Sequence, residues 1–211
     1  MKEKTALEYL SIAFDIARDN YGILFLNYLI YSIILYFLIY LIFVPLNIIF
    51  SILGVLVIPL IFAGYYIFVL KIKRKENSNI GEFILYGFLN ERWLEIIILQ
   101  IVLGIAVVIG IFLFVIPGLY LTITWSLSIF FLLDKNMSIV DSLSKSRESI
   151  HQIGIWKLSF LIITMTLITQ LLIFVPVVGI IINLGIGPII VMVYVVIYED
   201  SIGNLDLIDQ N

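Results

Sequence analysis

Residues 93–135 read WLEIIILQIVLGIAVVIGIFLFVIPGLYLTITWSLSIFFLLDK, and the fold turns on them. After Glu95 no charged side chain appears until Asp134. A helix rises 1.5 Å per residue, and a bilayer core of about 30 Å takes roughly 20 helical residues. The stretch is long enough to cross twice, with its turn at Pro117-Gly118. Residues 93–115 are expected to ascend and residues 118–133, somewhat shorter, to descend. Similar runs flank it: 22–44 and 46–70 before it, 155–175 and 177–198 after it. Six spans result. Pro59 interrupts the second span, and Gly185, Gly187 and Pro188 interrupt the last. Whether the spans around Pro59, Gly118 and Pro188 are full or re-entrant stays open, because irregular backbone at membrane depth must be buried in protein or face water.

The charges fix a side. Lys and Arg occur only at Lys2, Lys4 and Arg18, between Lys71 and Arg92, and between Lys135 and Lys157. Asp and Glu share those stretches and the tail from Glu199, while the neighbourhoods of Pro45, Pro117 and Pro176 carry none. Basic loops stay on the cytoplasmic side, so both termini are expected there, in the cell membrane. The 211 residues are 63% hydrophobic and 13% charged, against about 25% charged in soluble domains. The net charge of -3 argues against nucleic-acid partners, which need a basic surface. No Cys is present and His151 is the lone His, so no thiolate or multi-histidine metal site is expected. The first twenty residues alternate charged and apolar positions and lack the apolar core of a cleaved signal, so the first span is expected to act as an uncleaved one.

Three polar segments begin alike. Thr5-Ala6-Leu7-Glu8, Asn79-Ile80-Gly81-Glu82 and Ser138-Ile139-Val140-Asp141 each place a capping residue three before an acid. That is the capping-box spacing, in which the first side chain accepts from a free amide and the acid reaches back. Helical apolar spacing follows in each, which predicts three short amphipathic helices at the cytoplasmic interface. Each is followed, at nearly equal distance, by a proline corner: Val44-Pro45, Ile116-Pro117 and Val175-Pro176. Proline suits the first turn of a helix, where its missing N–H would be unpaired anyway. The expected fold is therefore an all-α integral membrane protein, one domain over 1–211. It has six transmembrane helices in three hairpin repeats (about 5–72, 79–134 and 138–200), each preceded by a short cytoplasmic amphipathic helix.

From Pro59 onward a familiar order of landmarks appears. Pro59-Leu60 and Gly64 precede Lys71, Arg74 and Glu76, then Phe83 and Gly87-Phe88. Ile116-Pro117-Gly118-Leu119, Ser142-Leu143 with Ser146, and an aromatic restart at Trp156 follow. Over roughly 59–200 the chain resembles the membrane domain fused to some bacterial glycerophosphoryl diester phosphodiesterases, and its stand-alone multi-pass relatives. Two departures stand out: Ser142-Leu143 where relatives tend to have Ala-Leu before the Ser, and no aligned Gly after that Ser, though Gly154 lies near. The resemblance implies a membrane module that accompanies enzymes. These 211 residues leave no room for an extramembrane phosphodiesterase domain, so hydrolase activity is not expected to carry over.

Chemistry is sparse. No Asp, Glu, Lys, Arg or His lies deep in a predicted span; such groups usually mark ion paths. Thr122, Thr124, Ser128, Thr166 and Gln170 are the candidates for an intramembrane polar path, against plain hydrogen bonding between helices at about 0.6 kcal/mol each. Lys71, Lys73, Arg74 and Lys75 form a juxtamembrane cluster that could meet a lipid headgroup, each worth on the order of 1 kcal/mol near an anionic leaflet. The alternative is that they hold the second span's end in the cytoplasm. Ser144 and His151 share a helix face, but no oxyanion donor or orienting acid accompanies them. Pro45, Pro117, Gly118 and Pro176 are read as structural turns. Gly64, Gly104 and Gly110 are read as close-approach positions between helices.

The expected function is a non-enzymatic multi-pass module: a scaffold, accessory or regulatory partner in contact with membrane lipids and a membrane or cytoplasmic protein, without cofactors. Self-association is not readable. The alternative is a transporter or export and immunity protein for an apolar or amphiphilic solute, and a remoter one an intramembrane hydrolase.

Overall fold

A computed structural model describes residues 4–43, 48–172 and 176–208. Side chains are described for these except 42, 43, 48–51, 170, 172, 176–178 and 204–208. Ten helices and no strand occur among the described residues: α1 (Ala6–Asp19), α2 (Tyr21–Phe43), α3 (Ile48–Lys73), α4 (Glu82–Phe88), α5 (Trp93–Leu113), α6 (Val115–Thr124), α7 (Ser128–Asp134), α8 (Ile139–Ile153), α9 (Ile155–Leu172) and α10 (Pro176–Ile208). Five stretches are long and apolar enough to cross a membrane: in α2, in α3, α5, α6 with α7, and in α10. A sixth exists only if α8 and α9, bent by 104° at Gly154, count as one broken span.

The predicted short helices appear as α1, α4 and α8. Thr5 forms the full capping box with Glu8. Tyr9, Ala13 and Ala17 on one face of α1 are buried while Leu7 and Phe14 are exposed. The Asn79 box does not form. α4 starts after Gly81, held at φ +83°, with no side-chain cap. Tertiary partners outcompete the local ones: the Gly81 N–H donates to Asn27 Oδ1 on α2 at 2.7 Å, and the Asn79 amide donates to the Glu82 carboxylate at 2.7 Å. At Ser138 the box is one-sided. Its hydroxyl accepts from the Asp141 N–H and donates to the Asp141 carboxylate, which is too short to reach back to the cap backbone.

The predicted fourth span is broken. Residues 125–127 form turns between α6 and α7 rather than continuing the helix. Pro117 is the third residue of α6, still within the first turn, where a missing N–H costs nothing. Pro176 opens α10 as predicted, and α10 runs unbroken through Pro188. Pro45 lies outside the described residues. Gly118 is not in the turn at all. A Cβ there would stand 2.7 Å from the Ile111 backbone nitrogen, and one at Gly110 2.9 Å from Gly118. The two glycines are where α5 and α6 touch. Gly64 lets α3 approach α4, whereas Gly104 faces open space.

Burial is concentrated at one end. Leu60–Ile72 of α3, residues 129–132 of α7 and residues 191–198 of α10 supply most of the core, joined by Tyr9, Ala13 and Ala17 of α1. Aromatic rings knit this end: Tyr66, Phe130 and Tyr198 pack in series, with ring centroids 5.4 and 4.8 Å apart. The 33 residues of α10 extend roughly 50 Å, well beyond a bilayer core of about 30 Å.

Candidate functional site

The C-terminal ends of α3 and α7 meet the side of α10 at Arg74. Its position is set by how α3 stops. The Glu76 N–H bonds back to the Lys71 carbonyl at 3.0 Å and the Lys75 N–H to the Ile72 carbonyl at 3.1 Å, with Lys75 at φ +58°. This left-handed cap is one that glycine usually fills. It aims Arg74 across the bundle. Both terminal nitrogens of Arg74 donate to the Asp134 carboxylate, at 2.5 and 2.9 Å, and Nε donates to Glu199 at 2.7 Å. The Tyr198 hydroxyl completes Asp134 at 2.7 Å. Paired chiefly with Asp134, the guanidinium is pushed further above its ordinary value and stays charged.

Beside this junction opens a cleft of about 510 Å³, walled by Lys71, Arg74, Glu76, Tyr86, Leu89 and Asp134 among others. The Lys71 ammonium sits 4.1 Å above the Tyr86 ring. The Tyr86 hydroxyl donates to Glu82, and that bond, with Asn79, holds the Glu82 carboxyl below the usual carboxylate range. The four basic residues predicted to face headgroups thus have separate settings. Arg74 lies on two carboxylates, Lys71 on an aromatic face and Lys75 in a backbone turn; Lys73 is half-buried at the end of α3. The cleft, which Lys71 and Arg74 line together with Glu76 and Asp134, carries both signs of charge.

The hydroxyls predicted to line a polar path donate within their own segments among the described side chains. Thr122, Thr124 and Thr166 each donate to the carbonyl four residues back in their own helix, at 2.8–2.9 Å. Ser128 donates to Trp125 at 2.7 Å, and the Gln170 side chain lies outside the described residues. Such back-bonding uses each hydroxyl's single proton within its own helix and leaves only its acceptor lone pairs to a solute. A second cavity of about 590 Å³ between α1, α9 and α10 is lined by Leu10, Phe14, Phe160, Met165 and Ile189 and is nearly all apolar.

One residue carries a role that spacing alone did not show. The break between α6 and α7 frees backbone groups deep in an apolar segment, and Ser146 of α8 takes two of them. The Leu127 N–H donates to Ser146 Oγ at 3.1 Å, and the Ser146 hydroxyl donates to the Thr124 carbonyl at 2.8 Å. The available signal was the place of Ser146 on the apolar stripe of α8, in line with Ile139, Leu143 and Ile150, though spacing gives no partner. His151 shares a 3.0 Å hydrogen bond with the Tyr120 hydroxyl, and Ser144 points outward. No family model, curated protein or solved structure matches the chain.

Proposed function

We propose that this chain is a non-enzymatic membrane module of the cell membrane that scaffolds or regulates a partner, with both termini on the cytoplasmic side. Three units support the reading: α1, α4 and α8 each precede a pair of apolar segments, and the second segment of each pair supplies one of Arg74, Asp134 and Glu199, at or just beyond its apolar part. The observation that carries it is the hydroxyl chemistry. Side chains positioned for a polar path bond to their own helices, so the apolar segments serve as packed supports, and polar complexity gathers at the charged end. Kinship with the phosphodiesterase-associated membrane domain belongs to the same proposal and favours a partner that is itself an enzyme.

Mild-detergent extraction of the tagged chain from its own membranes tests this. A stoichiometric protein partner is expected to co-purify, and substitutions at Lys71 or Glu76 on the cleft rim are expected to release it. A lone monodisperse protein, with solute flux in liposomes abolished by Thr124→Val, would establish a carrier instead.

A further inference from the structure

The middle of the chain departs from a bundle of parallel spans. As the chain advances from Met137 through Ser146 to His151, its partners retreat from Phe131 through Leu127 and Thr124 to Tyr120. α8 therefore lies antiparallel against α7 and α6 along nearly its whole length. Between α8 and α9 the axis turns by 104°. A segment parallel to α8 is then close to perpendicular to α9. The α6–α7 segment and α9 cannot both stand along the membrane normal.

The composition of α8 decides which one lies flat. Apart from Val140, its exposed residues are polar: Asp141, Ser144, Arg147, Glu148, His151 and Gln152. An upright α6–α7 would drag these through hydrocarbon, where each charged group is strongly penalised. Lying flat, they remain among headgroups. The other side of the stack agrees. On α6, Gly118 meets α5 while Tyr120 meets α8, and two residues of a helix are turned by roughly 200°. α5 and α8 thus pack on opposite faces of α6. The exposed stripe of α5, including Ile98, Ile101, Ile105 and Val108, is apolar throughout. Residues 112–116 at the turn are all large and apolar, with Phe112 89% and Ile116 80% exposed. Polarity falls in order from α8 through α6–α7 to α5.

We propose that α5 to α8 form a wedge seated in one leaflet. α8 rests in the headgroup layer, and α5 with the 112–116 turn sinks into the acyl chains of that leaflet without reaching the far surface. The partner this surface fits is the lipid itself. The crossing helices are then α2, α3, α9 and α10, an even number, which keeps Lys4 and its partner Asp200 on one side.

The chain contains no Cys, so single cysteines read without background. Ile116→Cys and Phe112→Cys mark the turn, Ser144→Cys marks α8, and Lys4→Cys marks the terminal side. All four are reconstituted in phosphatidylcholine–phosphatidylglycerol vesicles. Ser144→Cys is expected to react with a membrane-impermeant maleimide from the same side as Lys4→Cys. Bimane on Ile116→Cys or Phe112→Cys should lose most fluorescence to acyl-brominated lipid. The proposal fails if Ile116→Cys reacts from the side opposite Lys4→Cys, if its bimane is quenched most by a headgroup quencher, or if Ser144→Cys reacts from the opposite side.

Discussion

Ser146 illustrates what a single hydroxyl does when the backbone around it is irregular. Removing it strands the Leu127 N–H and the Thr124 carbonyl in a site of no solvent exposure, and a buried unsatisfied group costs about 1–3 kcal/mol. Ser146→Ala should lower stability by about that much in detergent unfolding followed by circular dichroism, while exposed Ser144→Ala should not move the midpoint. Tyr65 is the converse. Its hydroxyl is buried with no protein partner, while its ring stacks on Tyr31 at 4.8 Å. Tyr65→Phe keeps the stacking and removes the orphan, so stability should hold or rise by up to about 1 kcal/mol in the same measurement. Neither role could be read from spacing. A serine three or four residues from its neighbours looks the same whether it caps, bridges or faces water, because its partners are set by packing.

At the scale of elements, close approach between helices decides which substitutions matter. A Cβ on Gly87 would stand 2.1 Å from the Leu60 carbonyl oxygen, backbone against backbone, whereas Gly104 has nothing within 4 Å. Gly87→Ala is expected to cost about 1–3 kcal/mol and to free α4 from α3, seen as faster amide exchange over 82–88. Gly104→Ala should be neutral or gain up to about 1 kcal/mol from helix propensity. Helix existence and length were legible from apolar runs, since span length is fixed by bilayer thickness. Helix starts were legible only where the cap is local: the Thr5 box formed, and the Asn79 box yielded to Asn27 from α2. The break at 125–127 has no marker in the sequence, because Trp125-Ser126-Leu127 carries no Gly or Pro and the stabilising hydroxyl comes from elsewhere in the chain.

For the whole molecule, Arg74 ties α3 to α7 and α10, with partners 60 and 125 residues away in sequence. Its side chain is 30% exposed, so solvent screens part of the attraction. Arg74→Ala should still cost about 1–3 kcal/mol, Arg74→Lys less, and a double-mutant cycle with Asp134→Ala should show the two losses to be non-additive. Composition revealed a membrane helical protein because nothing else so apolar stays in water, and charge placement marked one end. That Arg74 would pair with Asp134 and Glu199 could not be read, because the sequence holds no record of which helices converge. The pairing of Lys4 and Tyr9 with Asp200 joins positions 196 and 191 residues apart. A ribosome releases the first of these long before the last, so this docking of α1 can form only after α10 has been made. Until α10 emerges, the nascent protein must wait in the bilayer with α1 unlatched from Asp200, and that late latch is the step at which a stalled translation would betray itself.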